Sequence, residues 1–149
     1  MAKLNKKIKI AIVASKFNDY ITKRLLKACL DELEKQGVAR KNVTTVWVPG
    51  AFEIPVAALA LAKKKDIQAV ITLGAVIKGE TYHFDLVAQG TAQGIMQASM
   101  ITGKPIMFGV LATNRVDQAY KRSEEQGHNK GREAAVAALE MINLLSLMK

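Results

Sequence analysis

The sequence is short of cysteine. Cys29 is the single one among 149 residues, which excludes an internal disulfide and a cysteine-built metal site. Proline is scarce, at three residues, and aromatic residues make up only 5%. There is accordingly no proline-rich linker and no basic stripe interleaved with aromatic rings of the kind that grips single-stranded nucleic acid. No apolar run approaches the length of a membrane span. Acidic residues are outnumbered, 13 against 22 lysines and arginines, giving a formal charge of +9. Such a surplus suits nucleic acid, an anionic membrane surface or an anionic small substrate. The lysines are spread along the chain, however, at Lys6, Lys7 and Lys9, at Lys23 and Lys27, and at Lys63, Lys64 and Lys65. That spread favours solvated faces plus a phosphate site over a dedicated nucleic-acid binder.

Half of the residues are hydrophobic, and the length fits a single domain, residues 1–149, able to bury a sizeable core. The opening MAKLNKKIKIAIVAS has the outline of a signal peptide, but its apolar part is short and broken by Lys9, so it reads as a strand. A soluble, cytoplasmic protein is expected, with disorder confined to the first seven and last two residues.

The chain then alternates β-branched apolar runs with periodic segments. IKIAIVA (8–14), VTTVWV (43–48), AVITLG (69–74) and IMFGVLA (106–112) suit strands covered on both faces. Asn18 and Asp19 are placed to cap a first helix whose Ile21, Leu25, Cys29 and Leu33 form one apolar stripe, ended by Gly37. Cys29 should behave there as a small apolar residue. Further helices are expected over about 53–65, 84–102, 115–122 and 130–148. The order predicts a four-stranded parallel sheet with helices on both faces, an α/β/α sandwich. In such sheets ligands bind beyond the carboxyl ends of the strands. Here those ends carry SKFN, PGAFE, GAVIKGETYHFD and ATNR.

Within the third helix Gly90, Gly94 and Ala98 recur at four-residue spacing. Two glycines cost a helix roughly 2 kcal/mol against alanine, so the small-residue stripe should admit another backbone, either the protein's own sheet or, as favoured here, a neighbouring subunit. The apolar content of LEMINLLSLMK, which a monomer would expose, points the same way.

Several residues are candidates for chemistry. Lys78–Thr81 (KGET) joins a strand end to a helix start, where backbone N–H groups make an anion cradle. It is neither a Walker loop nor a dinucleotide fingerprint. Arg122, Lys130 and the helix-capping Asn129 form a second polar group; Lys130 is free to meet an anion or pair with Glu133. His83 is the foremost near-neutral proton shuttle, with His128 the other histidine, and Asp85 is its candidate orienting partner. Phe17 and Phe52 sit at strand exits, suited either to packing under the loops or to offering an aromatic plane to a flat heterocycle. Ser15 and Ser99 lack a GxSxG context and the histidines lack HExxH spacing. Any reaction here should use a nucleophile carried by the substrate.

Taken in order, FN, PGAFEIP, GAVIKGETYHFD, FGVLAT and GHNKGREAA resemble the 6,7-dimethyl-8-ribityllumazine synthase family over essentially the whole chain. The resemblance implies a flavodoxin-like three-layer α/β/α fold. It implies an enzyme joining 5-amino-6-ribitylaminouracil to 3,4-dihydroxy-2-butanone 4-phosphate in the penultimate step of riboflavin biosynthesis. The uracil's amine attacks the ketone, phosphate is eliminated, the ring closes and water leaves, with no metal or organic cofactor. By similarity Phe17 stacks on the pyrimidine with Asn18 at its edge, and Ala51, Phe52 and Glu53 line the ribityl chain. Val76 and Ile77 shape the floor, Gly79, Glu80 and Thr81 hold the phosphate, and His83 transfers protons. Phe108, Arg122 and Lys130 come from a neighbouring subunit, since the family builds its sites between subunits of a pentamer. Some members assemble pentamers into a hollow icosahedral shell, and association with riboflavin synthase is a further implied partnership. The loop departs from the family pattern at Ala112–Arg115 and at His128. The residues alone leave open an archaeal-type riboflavin synthase, a non-catalytic lumazine or flavin carrier, and a basic nucleic-acid binder.

Overall fold

A computed structural model describes residues 7–149; of the disorder expected at the amino terminus, residues 1–6 lie outside that range. Strands β1 (Ile10–Ser15), β2 (Val43–Val48), β3 (Ala69–Ile77) and β4 (Ile106–Thr113) pair in parallel. Their spatial order is β2-β1-β3-β4. Helices α1 (Asp19–Lys35), α2 (Ile54–Ala62), α3 (His83–Thr102), α4 (Val116–Lys121) and α5 (Lys130–Leu147) complete the chain, with short 3-10 turns at Arg40–Asn42 and Ala51–Glu53. The result is the expected flavodoxin-like α/β/α sandwich.

The central strands explain why the sequence reads as continuous apolar runs. On β1, Ile10 and Ile12 face one core with Ile71, Leu73, Leu25 and Leu139. Ala11 and Val13 face the other with Val70, Ile54 and Ile95. Side chains alternate across a strand, so both faces must be apolar when helices cover both. Helices α1 and α5 therefore cover one face, and α2 and α3 the other. The α1 stripe Ile21, Leu25, Cys29 and Leu33 is fully buried. Burial pushes the Cys29 thiol up to about 12, which makes it an inert packing group. No helix among the described residues is long and apolar enough to cross a membrane.

Three boundaries differ from expectation. Strand β3 continues past Gly74 to Ile77, because its register with β4 holds as far as Ile77 opposite Thr113. Helix α2 stops at Ala62, leaving Lys63, Lys64 and Lys65 beyond its end. Asn18 does not cap α1 with its side chain; it takes a left-handed backbone (φ 59°), which asparagine tolerates, and its amide donates to the Ala75 carbonyl at 2.8 Å.

The glycine stripe on α3 finds its partner within the chain. A Cβ at Gly90 would fall 2.7 Å from the Phe52 ring, and one at Gly94 would fall 2.7 Å from Pro55. Both approaches are closer than van der Waals contact, so the helix spacing requires a missing side chain at each. The notches seat the start of α2, which corrects the favoured expectation of a neighbouring subunit there. The last helix does expose apolar groups, at Val136, Leu144 and Leu147, as does Met148 just past its end.

Candidate active site

A cleft of about 750 Å³ opens at the carboxyl ends of β1, β2 and β3. It straddles β1 and β3, where the strand order reverses direction and the crossovers diverge, the place an open parallel sheet leaves free for a ligand. Each wall follows from its local sequence.

Beyond β1 the chain continues the sheet for two residues. The Lys16 N–H donates to the Val48 carbonyl (2.8 Å) and the Phe17 N–H to the Pro49 carbonyl (3.1 Å). The turn at Asn18 then throws the Phe17 side chain outward, where it is 72% exposed on the cleft rim. Phe17 therefore does not pack under the loops. Past β2, Pro49 and Gly50 end the ladder and the 3-10 turn brings Ala51, Phe52 and Glu53 to the rim. Phe52 lies against Gly90 on one side and is 61% exposed on the other. Val76 and Ile77, at the end of β3, line the cleft at its base, Val76 being only 9% exposed.

The third wall is the loop into α3. Gly79 and Thr81 line the cleft, and a Cβ at Gly79 would meet nothing within 4 Å. Neither its φ nor neighbouring atoms demand glycine there. The Thr81 hydroxyl accepts from the His83 N–H at 3.3 Å, a local bond that helps set the first turn of α3. His83 opens that helix and lines the cleft, exposed. Its N–H groups and dipole make the neighbourhood favourable to an anion. No hydrogen bond joins Asp85 to His83 among the described residues, and side chains two positions apart on a helix point apart. Asp85 is thus not its orienting partner.

Among the described residues, Glu53 and His83 are the only titratable side chains lining the cleft, and no lysine or arginine is part of its lining. Sequence reasoning missed Phe84, Leu86 and Val87, which also line it. Leu86 and Val87 stand three and four residues after His83, the spacing that shares a helix face, and that was the signal available.

Five expected residues are not among the lining. The Asn18 amide is spent on Ala75. Glu80 is exposed outside the cleft. Phe108 stands on the edge strand β4, 41% exposed. Arg122 ends α4, its guanidinium donating to the Gln118 carbonyl at 3.2 Å. The Lys130 N–H donates to the Arg122 carbonyl at 2.9 Å, so the main chains of these two residues adjoin, and neither residue lines the cleft. Asn129 caps α5 as expected, accepting from Gly131 and Arg132. Glu133 pairs with His128 at 2.5 Å, not with Lys130. Between α1 and residues 123–132 lies another depression, where Arg24 bonds Ser123, Lys27 pairs with Asp31 and Glu125, and Arg132 bonds the Gly127 carbonyl. No group of three potential metal ligands occurs among the described residues.

The family model described as 6,7-dimethyl-8-ribityllumazine synthase matches residues 7–146. A protein of that name from Leuconostoc mesenteroides subsp. mesenteroides is 49% identical over 141 residues, covering 95% of this chain and 90% of the relative. Another of the same name, from Protochlamydia amoebophila (strain UWE25), is 49% identical over 151 residues, covering 99% of this chain and 88% of the relative.

Proposed function

Because this chain belongs to the 6,7-dimethyl-8-ribityllumazine synthase family, we propose that it condenses 5-amino-6-ribitylaminouracil with 3,4-dihydroxy-2-butanone 4-phosphate. The products are 6,7-dimethyl-8-ribityllumazine, phosphate and water, and the reaction is a transferase step of riboflavin biosynthesis. The nucleophile is the uracil's own amine, which suits a cleft offering one carboxylate and one imidazole and no serine or cysteine.

In this reading the Phe17 face takes the pyrimidine, a flat ring against a flat ring. Asn18 acts through position, its bond to Ala75 fixing the turn that presents Phe17. Ala51 and Phe52 flank the ribityl chain, and Glu53 accepts from its hydroxyls. Val76 and Ile77 keep the floor dry. Gly79, Glu80 and Thr81 offer backbone N–H groups and a hydroxyl to the phosphate at the positive end of α3. His83 carries protons between the amine, the carbonyl oxygen and the leaving groups. Alignment of two substrates supplies roughly 7–11 kcal/mol of the barrier, and a positioned base adds about 10²- to 10⁴-fold.

A phosphate-bearing substrate calls for a cation, and none of the described residues brings one to the cleft of one chain. We therefore assign Phe108, Arg122 and Lys130 to the site of an adjacent copy, in a homo-oligomer built as a pentamer or multiples of it. Residues 1–149 act as one domain, the enzyme works in the cytoplasm, and association with riboflavin synthase would hand the product on. The observation that carries the reading is the meeting of Phe17, Glu53, Thr81 and His83 in one cleft of a chain from this family. The archaeal-type riboflavin synthase and the non-catalytic carrier lose ground to the near-complete family match.

Incubation with both substrates tests it. Lumazine fluorescence should appear together with an equal amount of free phosphate. No fluorescence would reject the enzyme, and conversion of added lumazine alone would make it a riboflavin synthase.

A further inference from the structure

The fold gathers lysines that the sequence keeps apart. At the end of the molecule opposite the cleft, where α2 and α3 finish, a groove of about 420 Å³ is lined by Ala62, Lys63, Lys65, Ile101, Thr102 and Lys104. Among the described residues, no acidic one lines it. The ammonium groups of Lys63 and Lys65 make no ion pair or hydrogen bond among the described residues. The nearby acid, Asp66, is engaged by Lys9 at 3.4 Å. Lys104 reaches across to donate to the Lys64 carbonyl, closing one side of the groove. Partial burial pushes the Lys104 ammonium down, and the charge of Lys149 adds to this against the pull of Asp66. Lysines past helix ends are stabilised by the helix dipole, which explains their presence but not the apolar surface between them. Ile101 is 68% exposed, and Met100 and Met96 continue that surface along α3 at 80% and 68%.

We propose that this groove docks an acidic peptide segment of a partner protein, its carboxylates meeting Lys63, Lys65 and Lys104 and an apolar side chain settling on Ile101. Charge complementarity selects the partner and steers it in, while single exposed pairs are weak and need the apolar contact beside them. A nucleic acid fits less well. The groove offers no aromatic ring for bases to stack on and no arginine fork for phosphates. A lone small anion would leave the apolar surface unused.

The test is fluorescence anisotropy with a short labelled peptide of glutamates around a leucine pair, titrated with the intact protein. Lys63→Glu with Lys65→Glu should weaken binding by at least about tenfold, and Ile101→Ser by about threefold. Lys23→Glu with Lys27→Glu, an equal change of net charge on α1, should leave it within about twofold. The condensation activity of all three variants should persist, so the fate of this docking is separable from the reading of the cleft. Equal loss in both charge variants would reduce the effect to bulk charge and overturn the proposal. So would tighter binding of a single-stranded RNA of the same charge. A change of oligomeric state in the Lys63→Glu, Lys65→Glu variant would make the groove a self-contact and overturn it as well.

Discussion

The cleft and the α4–α5 corner were both marked by sequence as parts of one site, yet the fold treats them differently. Phe17, Glu53, Thr81 and His83 leave three neighbouring strands on the same edge of the sheet and meet in one cleft. Arg122 and Lys130 adjoin each other through a backbone hydrogen bond, but on helices belonging to the α1–α5 layer. A parallel sheet collects whatever follows its strands; it does not collect what sits between two helices on one side. The contrast teaches that one part of the expected constellation meets within a single chain, while Arg122 and Lys130 lie apart from it; the proposed second copy is what would reunite them.

Five experiments press on that contrast. His83→Ala should have the largest effect, slowing turnover by about 10²- to 10⁴-fold while substrate binding persists; unchanged turnover would remove His83 from the chemistry. Arg122→Ala should weaken the phosphate-bearing substrate by about 1.5–3 kcal/mol, read as a raised KM. If the two halves come from different copies, co-refolding equal amounts of the two variants restores wild-type sites. Random mixing gives about a quarter of the full number, because each site draws one half from each of two copies. No recovery would place both halves in one chain. Asn129→Ala removes the cap of α5 and should cost about 1–2 kcal/mol of stability by denaturant unfolding, loosening the corner that holds Arg122 while Phe17 and His83 keep their places. Ser15→Ala should have the smallest effect. The Ser15 hydroxyl lies buried beside Gly74 without a partner, so its removal should raise stability by about 1 kcal/mol or less. A clear loss of stability would mean that the hydroxyl is bonded after all.

Much of this was legible because strand ends are readable. Continuous apolar runs such as IKIAIVA suit two-sided strands, and in a parallel sheet the polar clusters directly after them lie at one edge. Short-range chemistry was readable in part: Asn129 caps where its position says it should. Other readings failed where several side chains compete for one partner. The Asn18 amide had a helix end within reach and bonded Ala75 across the sheet. Glu133 had Lys130 three residues away and took His128. The Gly90 and Gly94 notches declared that something must come close, but spacing along one helix carries no record of what. Phe52 and Pro55 are about forty residues distant, and only the crossover through β3 brings them there. Dispersed lysines misled in the same way, since Lys63 and Lys104 are strangers in sequence and neighbours in space.

The seating of Phe52 on Gly90 has one more consequence. His83 lies seven residues earlier on the same helix, about 10 Å along its axis. The glycine notch thus works as an index mark: it fixes where α3 can slide, and so sets how far the imidazole stands from the aromatic rim. A bulkier residue at position 90 would press on the Phe52 ring and shift His83 relative to that rim without touching the imidazole.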